Sequence, residues 1–475
     1  MNIPLSNPAF ARPRALTIQS TEASNPFQIL GFFALQGFVF ISCSRLSDLY
    51  LAKLHLPLFL STFAILFTLL SGGLYRAIST TAGKLLSLFT LWMILIVPFS
   101  SWRGGSVTML QDDWSRSFSC FLLVAGLTTS LSNCRRIIAV FSGGATLAAA
   151  IALIKNVRIE GRLSMPVGSF ANSNDMAQAL LFALPLSLFF IGKGLLPTIY
   201  AICSSGILLL AIIRTNSRSV MVALVVMLLM AFLRSSASQR VLIAGGALAG
   251  LMLMVVLLPK SSLQRYATIF GGSEKTTIAE NEEDAAALQQ KVMAIESSQS
   301  RKQVFLMSLE LTLRNPIFGV GPGQFQTAAQ KLSSERGERA LWLETHNAYT
   351  QVSSETGIPG AILYLGLVIT CFRAVIQLER ATRKDRRFVE TSQMARAMLF
   401  SLVGFAITSF FSSVAYKFMF PMVFGLALSV VRAGRQQLAA AAPATPAAPL
   451  TPPPASRRSP ASPPAWSPLR PRPAR

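Results

Sequence analysis

Charge is what this sequence is shortest of. Of its 475 residues only 13% are Asp, Glu, Lys or Arg, about half the share found in soluble domains, which argues against a water-soluble globule. Histidine is scarcer still, with His55 and His346 alone. Five cysteines (Cys43, Cys120, Cys134, Cys203 and Cys371) lie in or beside apolar stretches and form no CxxC pair. They read as packing residues and leave zinc without a ligand set, so neither a metal nor a cofactor is expected.

What is present in quantity is apolar surface, 52% of the chain. It is gathered into twelve runs free of ionised side chains: Phe27–Cys43, Pro57–Ser71, Leu85–Ser100, Phe118–Leu131, Ile137–Ile154, Met176–Ile191, Leu195–Ile213, Ser219–Leu233, Val241–Leu258, Ile358–Phe372, Ala397–Ser413 and Phe418–Val431. Several fall short of the ~20 residues that cross hydrocarbon, so their ends must extend into polar flanks. Lipid offers the backbone no hydrogen bonds, and the runs lack the alternation of barrel strands, so each is expected to be a helix. The expected fold is an all-α polytopic membrane protein with about twelve transmembrane helices. Residues 1–26 carry Arg12 and Arg14, and Ile41-Ser42-Cys43-Ser44 is a poor cleavage site. They read as a cytoplasmic segment ahead of an uncleaved first span.

Basic residues near span ends favour the cytoplasmic side. With the N-terminus inside, the inner connections hold Arg76 and Lys84, Arg135 and Arg136, Lys193, Arg234 and Arg240, and a cluster from Arg380 to Arg396; Arg103, Arg116, Arg158 and Arg162 fall outside. Spans one to nine then occupy 27–258, a large and partly helical periplasmic loop 259–357, and spans ten to twelve 358–432. Residues 433–475 form an Ala/Pro/Arg-rich cytoplasmic tail, too poor in apolar surface to order itself. Pro259–Thr345 carries ten Lys/Arg and ten Asp/Glu, so the formal net charge of +23 comes from elsewhere, much of it from the inner segments and the tail. Topology and attraction to anionic membrane lipids explain that balance, and nucleic acid is not expected as a partner.

Four segments meet on the outer side in this topology. Gly168–Asp175 precedes the sixth run, where Asn172 and Asn174 either cap a helix or help to hold a sugar or phosphate. Arg214 and Arg218 flank Thr215-Asn216-Ser217 at the mouth of the eighth run, as interface anchors or as an anion site. Ser300-Arg301-Lys302 opens an amphipathic helix that Ser300 can cap and Asn315-Pro316 ends. A cation such as Arg301 in a first helical turn is disfavoured unless an anion lies nearby. Behind it, the glycines of Phe318–Phe325 make no Walker loop but a tight turn, expected to set Phe318 and Phe325 on the membrane surface. Last comes Thr345-His346-Asn347-Ala348-Tyr349, where Thr345 caps a short helix broken at Gly357 and Pro359. That places His346 in the first turn, as a structural residue or as a neutral base.

Ser217-Arg218, Arg301, Asn315-Pro316 with Gly319-Val320-Gly321-Pro322-Gly323 and Phe325, and His346-Asn347 with Tyr349, Glu355, Gly357 and Gly360 together resemble the O-antigen ligase and O-antigen polymerase family of bacterial inner-membrane proteins. Motif resemblance runs from Gly168 to Gly360, and topology extends it up to the tail. It implies a metal-independent, inverting glycosyltransferase of GT-C-like architecture. The donor would be a glycan on an undecaprenyl-pyrophosphate carrier. The acceptor would be the lipid A core in a ligase, or a second lipid-linked glycan in a polymerase. The resemblance further implies Arg218 and Arg301 at the pyrophosphate and His346 as catalytic base; Arg214 is a further candidate for that anion from its place beside Arg218. Asn172, Asn174, Asn347, Tyr349, Glu355, Gly321 and Gly323 are candidates for substrate contact or structural support. Two readings of other classes stay open: a transporter, which would bury ionisable groups at the midplane within repeated broken spans, and a non-catalytic assembly partner for polysaccharide export.

Overall fold

A computed structural model describes residues 25–159, 161–257, 299–338 and 342–441, with only the backbone for Ala249, Leu251 and 253–257. Residues 1–24, the first half of the large loop and the tail from 442 lie outside the described residues. Each of the twelve apolar runs falls on a helix. These are α1 Pro26–Ser44, α2 Leu56–Leu70, α3 Thr81–Ile96, α4 Ser115–Leu127, α5 Leu131–Lys155, α6 Ser173–Leu188, α7 Leu195–Arg214, α8 Arg218–Leu233, α9 Ala237–Leu257, α10 Ala348–Thr382, α11 Val389–Thr408 and α12 Met419–Ala441. Among the described residues six helical stretches are long and apolar enough to cross a membrane: Pro26–Ser44, Ala52–Leu70, Thr81–Phe99, Leu131–Lys155, Leu195–Arg214 and Ala348–Thr382. Among the described residues the only strands are the two-residue pair Arg158–Ile159 and Arg162–Leu163. α2 turns Leu58, Phe59, Phe63, Leu66 and Leu69 outward, a surface that suits lipid and would be a liability in water.

α10 organises the bundle. Beyond a break at Gly357, the stretch from Ile358 to Thr382 spans roughly 40 Å at 1.5 Å per residue, so its start and finish mark opposite ends of the bundle. At its finish, buried Glu379 accepts from Arg234 at 2.8 Å and lies 3.8 Å from Arg396. Nearby on neighbouring connections, Arg135 meets Glu390, and Arg432 reaches the carbonyls of Ala125 and Thr128. At its start gather the alternate connections. Arg45 donates to Ser169, Ser101 N–H to the Val320 carbonyl, Ser217 to Asn174, and Lys417 to Asp175. The parity read from the basic residues is thus a physical segregation of loops to two ends.

A row of buried rings fixes α10, α11 and α12 beneath the second group of loops. Trp114 packs on Phe89 (centroids 5.5 Å), Phe89 on Tyr364 (5.9 Å), Tyr364 on Phe420 (5.3 Å) and Phe420 on Phe405 (5.0 Å). Each buried ring contributes through its area, and each pair by about 1 kcal/mol beyond it.

Three expectations need correction. Helix continues past Arg435 to Ala441, because Ala439–Ala441 favour helix until proline intervenes; the expected tail from 433 therefore starts on ordered helix. Phe325 is 2% exposed and packs with Val304, Met307, Leu311 and Leu332, because the glycine turn folds inward. Only Phe318 is partly exposed, stacked on Phe99 at 4.2 Å. Ser300 is already helical, so it does not cap the loop helix at 299–314.

Candidate active site

His346 is set by its neighbours on both sides. The Asn347 carboxamide accepts from the N–H groups of Tyr349 (2.9 Å) and Thr350 (3.1 Å), satisfying two orphan donors at the start of α10. Asn347 and not Thr345 is therefore the cap, and His346 precedes the helix instead of sitting in its first turn. Its φ of 50° is left-handed, a conformation that costs a non-glycine residue about 1 kcal/mol and persists only where surroundings enforce it. The enforcement comes from the segment between α11 and α12. His346 N–H donates to Ser413 Oγ at 2.8 Å, and Thr345 Oγ1 shares that hydroxyl at 2.9 Å. Ala348 N–H reaches the Ser409 carbonyl at 2.8 Å, and the Tyr349 hydroxyl donates to the Ala406 carbonyl at 2.9 Å.

The imidazole lines a pocket of about 530 Å³ with Arg301, Lys302, Phe305, Phe410 and Phe411. Among the described residues two cations and no carboxylate line this space, and aromatic rings wall it. Arg301 is carried there by the loop helix, whose Val304, Met307 and Leu311 bury against Val320, Phe325 and Leu332. Val222 of α8 closes another side. Arg218, four residues earlier on the same helical face, stands one turn beyond that wall and does not line the pocket. Nor does Arg214, at the far side of the turn joining α7 to α8. Arg301 and His346 are brought together, Arg218 is brought near, and Arg214 is left out.

Asn172 and Asn174 serve as supports for that turn. Asn172 caps α6 by accepting from Asn174 N–H at 2.9 Å. Asn174 Oδ1 accepts from Arg162 Nη2 (2.6 Å) and Ser217 Oγ (2.9 Å), while Arg162 Nε donates to the Thr215 carbonyl at 2.9 Å. One buried guanidinium and one amide thereby pin the residues just before Arg218.

The glycine turn is a clasp. The buried Glu355 carboxylate accepts from Gly323 N–H (2.8 Å) and Phe325 N–H (3.4 Å), and its carbonyl accepts from Gly321 N–H at 3.0 Å. Gly357 breaks the helix at φ 70°, ψ −177°, and a Cβ there would lie 2.1 Å from the Ile317 carbonyl oxygen. A Cβ on Gly321 would lie 2.0 Å from Ser100 Oγ. Glycine is needed at both positions for close approach and for backbone geometry. Gly321, Gly323 and Glu355 thus lock the loop onto α10 and do not contact the pocket.

Burial pushes the His346 imidazole down to about 4, with the charges of Arg301 and Lys417 adding to the effect and Asp175 opposing it. The resting side chain is therefore neutral near pH 7 and can accept a proton. Asp175 and Lys417, paired at 2.6 Å with side chains 11% and 36% exposed, escape sequence reasoning, as do Lys302, Phe410, Phe411, Ser413 and Arg162. The only signal was polarity: Ser412 and Ser413 close the eleventh run, and Lys417 stands just before the twelfth. Among the described residues no group of three or more His, Cys, Asp or Glu could hold a metal ion.

No curated protein matches the chain. Residues 203–365 match the family described as O-antigen ligase, a segment that holds Arg218, Arg301, the glycine clasp, His346 and Glu355 but stops short of Ser413 and Lys417. Over those residues the chain is similar to the O-antigen ligase family.

Proposed function

We propose that this chain is a twelve-span inner-membrane glycosyltransferase of GT-C-like architecture, with both termini cytoplasmic and its catalytic pocket periplasmic. It moves a glycan from an undecaprenyl-pyrophosphate carrier to an acceptor hydroxyl, the acceptor being the lipid A core. The observation that carries this reading is the pairing of a neutral imidazole with Arg301 and Lys302 in one aromatic-walled pocket.

The acceptor O–H loses its proton to His346 as its oxygen attacks the anomeric carbon. The bond from that carbon to the pyrophosphate oxygen breaks, and its electron pair leaves with the pyrophosphate. Attack opposite the leaving group inverts the anomeric centre. Arg301, with Arg218 approaching from α8, meets the negative charge that grows on the leaving group; a guanidinium offers a permanently charged fork that fits phosphate oxygens. Such donors act most strongly on charge that develops in the transition state, and losing one costs about 3 kcal/mol, roughly a hundredfold in rate.

Purified protein in proteoliposomes, supplied with lipid-linked glycan and lipid A core, tests this. His346→Ala should lower transfer by ~10²–10⁴, and Arg301→Lys by about a hundredfold because an ammonium cannot make the fork. Wild-type turnover in either variant would remove the assigned role. Deleting the gene in its host separates the two acceptor classes. Free core beside full-length carrier-linked chains marks a ligase, and single repeat units on the core mark a polymerase.

A further inference from the structure

A second and larger cavity of about 810 Å³ opens at the same end of the bundle, between α1, α4, α6 and α12. Asp175 and Lys417 line it, and Lys417 follows closely after Ser413, whose hydroxyl holds the His346 backbone at 2.8 Å, so that ion pair stands near the catalytic pocket. The chemistry of the two cavities differs. Among the described residues the first presents cations and no carboxylate, whereas the second presents three basic side chains (Arg45, Arg116, Lys417) against four carboxylates (Asp48, Asp112, Asp113, Asp175). Such a balance gives no net attraction to a pyrophosphate, but it offers both donors and acceptors to sugar hydroxyls. Deeper in, Cys120, Leu123, Phe182, Phe405 and Phe420 make the lining apolar.

The polar residues here are held by unusual local structure. Arg45 and His55 both adopt left-handed backbone, at φ 56° and 43°, the kind of strain that concentrates at functional sites. The Arg45 guanidinium lies between the rings of Phe170 (4.8 Å) and Phe418 (5.4 Å) and donates to Ser169 and Asp48. Its Nε is buried without a protein partner. Asp112 and Asp113 lie on a π-helical turn, Leu110–Trp114, inserted between α-helical segments, a distortion that recurs at ligand sites.

We propose that this cavity is the acceptor chamber, taking an acylated, hydroxyl-rich saccharide with its sugars at the charged mouth and its chains against the apolar lining. The assignment rests on the transfer reading for its purpose, though not for its occupancy. The test places a photoreactive benzoylphenylalanine at Ser119, which lines the chamber, or at Phe411 in the catalytic pocket, both in a His346→Ala background. In membranes supplied with lipid A core, the probe at 119 should crosslink that glycolipid more efficiently than the probe at 411, which meets only the reacting end of the acceptor. In the active protein the near-isosteric Asp113→Asn should raise KM for the acceptor about tenfold, the loss of one charged hydrogen bond, with KM for the donor unchanged. Crosslinks to phospholipid alone at 119, or a rise in donor KM instead, overturn the proposal. Because crosslinking needs no turnover, a failed acceptor site is distinguishable from a failed transferase: the former leaves His346-dependent transfer intact.

Discussion

Removing the charge of Arg301 should make His346 easier to protonate. The imidazole sits at about 4 in place of its ordinary 6.5, which corresponds to roughly 3 kcal/mol in favour of the neutral form. Burial is the largest cause and Arg301 the next. Arg301→Gln keeps the burial and removes the charge, so the imidazole should recover only part of the way toward 6.5. A base works in its neutral form, which prevails above its pKa. Activity in the wild type is therefore lost as pH falls through about 4, and in Arg301→Gln the loss should begin at higher pH. Bound pyrophosphate brings negative charge to the same place and opposes Arg301 in the same sense. Since kcat/KM reports the free enzyme and kcat the donor complex, the acid limb of kcat should lie at higher pH than that of kcat/KM. A pyrophosphate diester stays ionised across this range, so the limb belongs to the protein. The cleanest assay is NMR of the two histidines in isotope-labelled protein in micelles, assigned with His346→Gln and followed by pH–rate profiles. A wild-type His346 titrating near 6.5, unmoved by Arg301→Gln, would refute the shared pocket and with it the electrostatic account.

The remaining predictions concern how the site is held. Gly357→Ala forces a side chain into a backbone conformation open only to glycine and against the Ile317 carbonyl, so it should destabilise by about 3 kcal/mol or more; an unchanged thermal midpoint in detergent would contradict the clasp. Asn174→Ala strips an acceptor from both Arg162 and Ser217, costing about 2 kcal/mol. It should raise KM for the donor as the turn before Arg218 loosens, and combined with Ser217→Ala its effect should be less than additive. Strict additivity would separate Asn174 from that turn.

The sequence alone determined the helices and their grouping, because lipid leaves the backbone no partner outside itself and because basic residues sort by side. Each of the twelve apolar runs lies on a helix, and Arg135, Arg234 and Arg396 gather where their parity places them. It also singled out Arg301 and His346 as candidates, since a cation early in a loop helix and a histidine at a boundary are locally conspicuous. What only the tertiary structure decided is who meets whom. Ser413 holds His346 across 67 residues of chain, and Lys417 pairs with Asp175 across 242. The glycines grip Glu355 instead of a phosphate, and Arg214 stays outside the pocket while Lys302 lines it. None of these pairings has a period or a spacing to betray it. They follow from how packed helices bring distant loops to one end, a matter of side-chain shape and burial that no local pattern encodes.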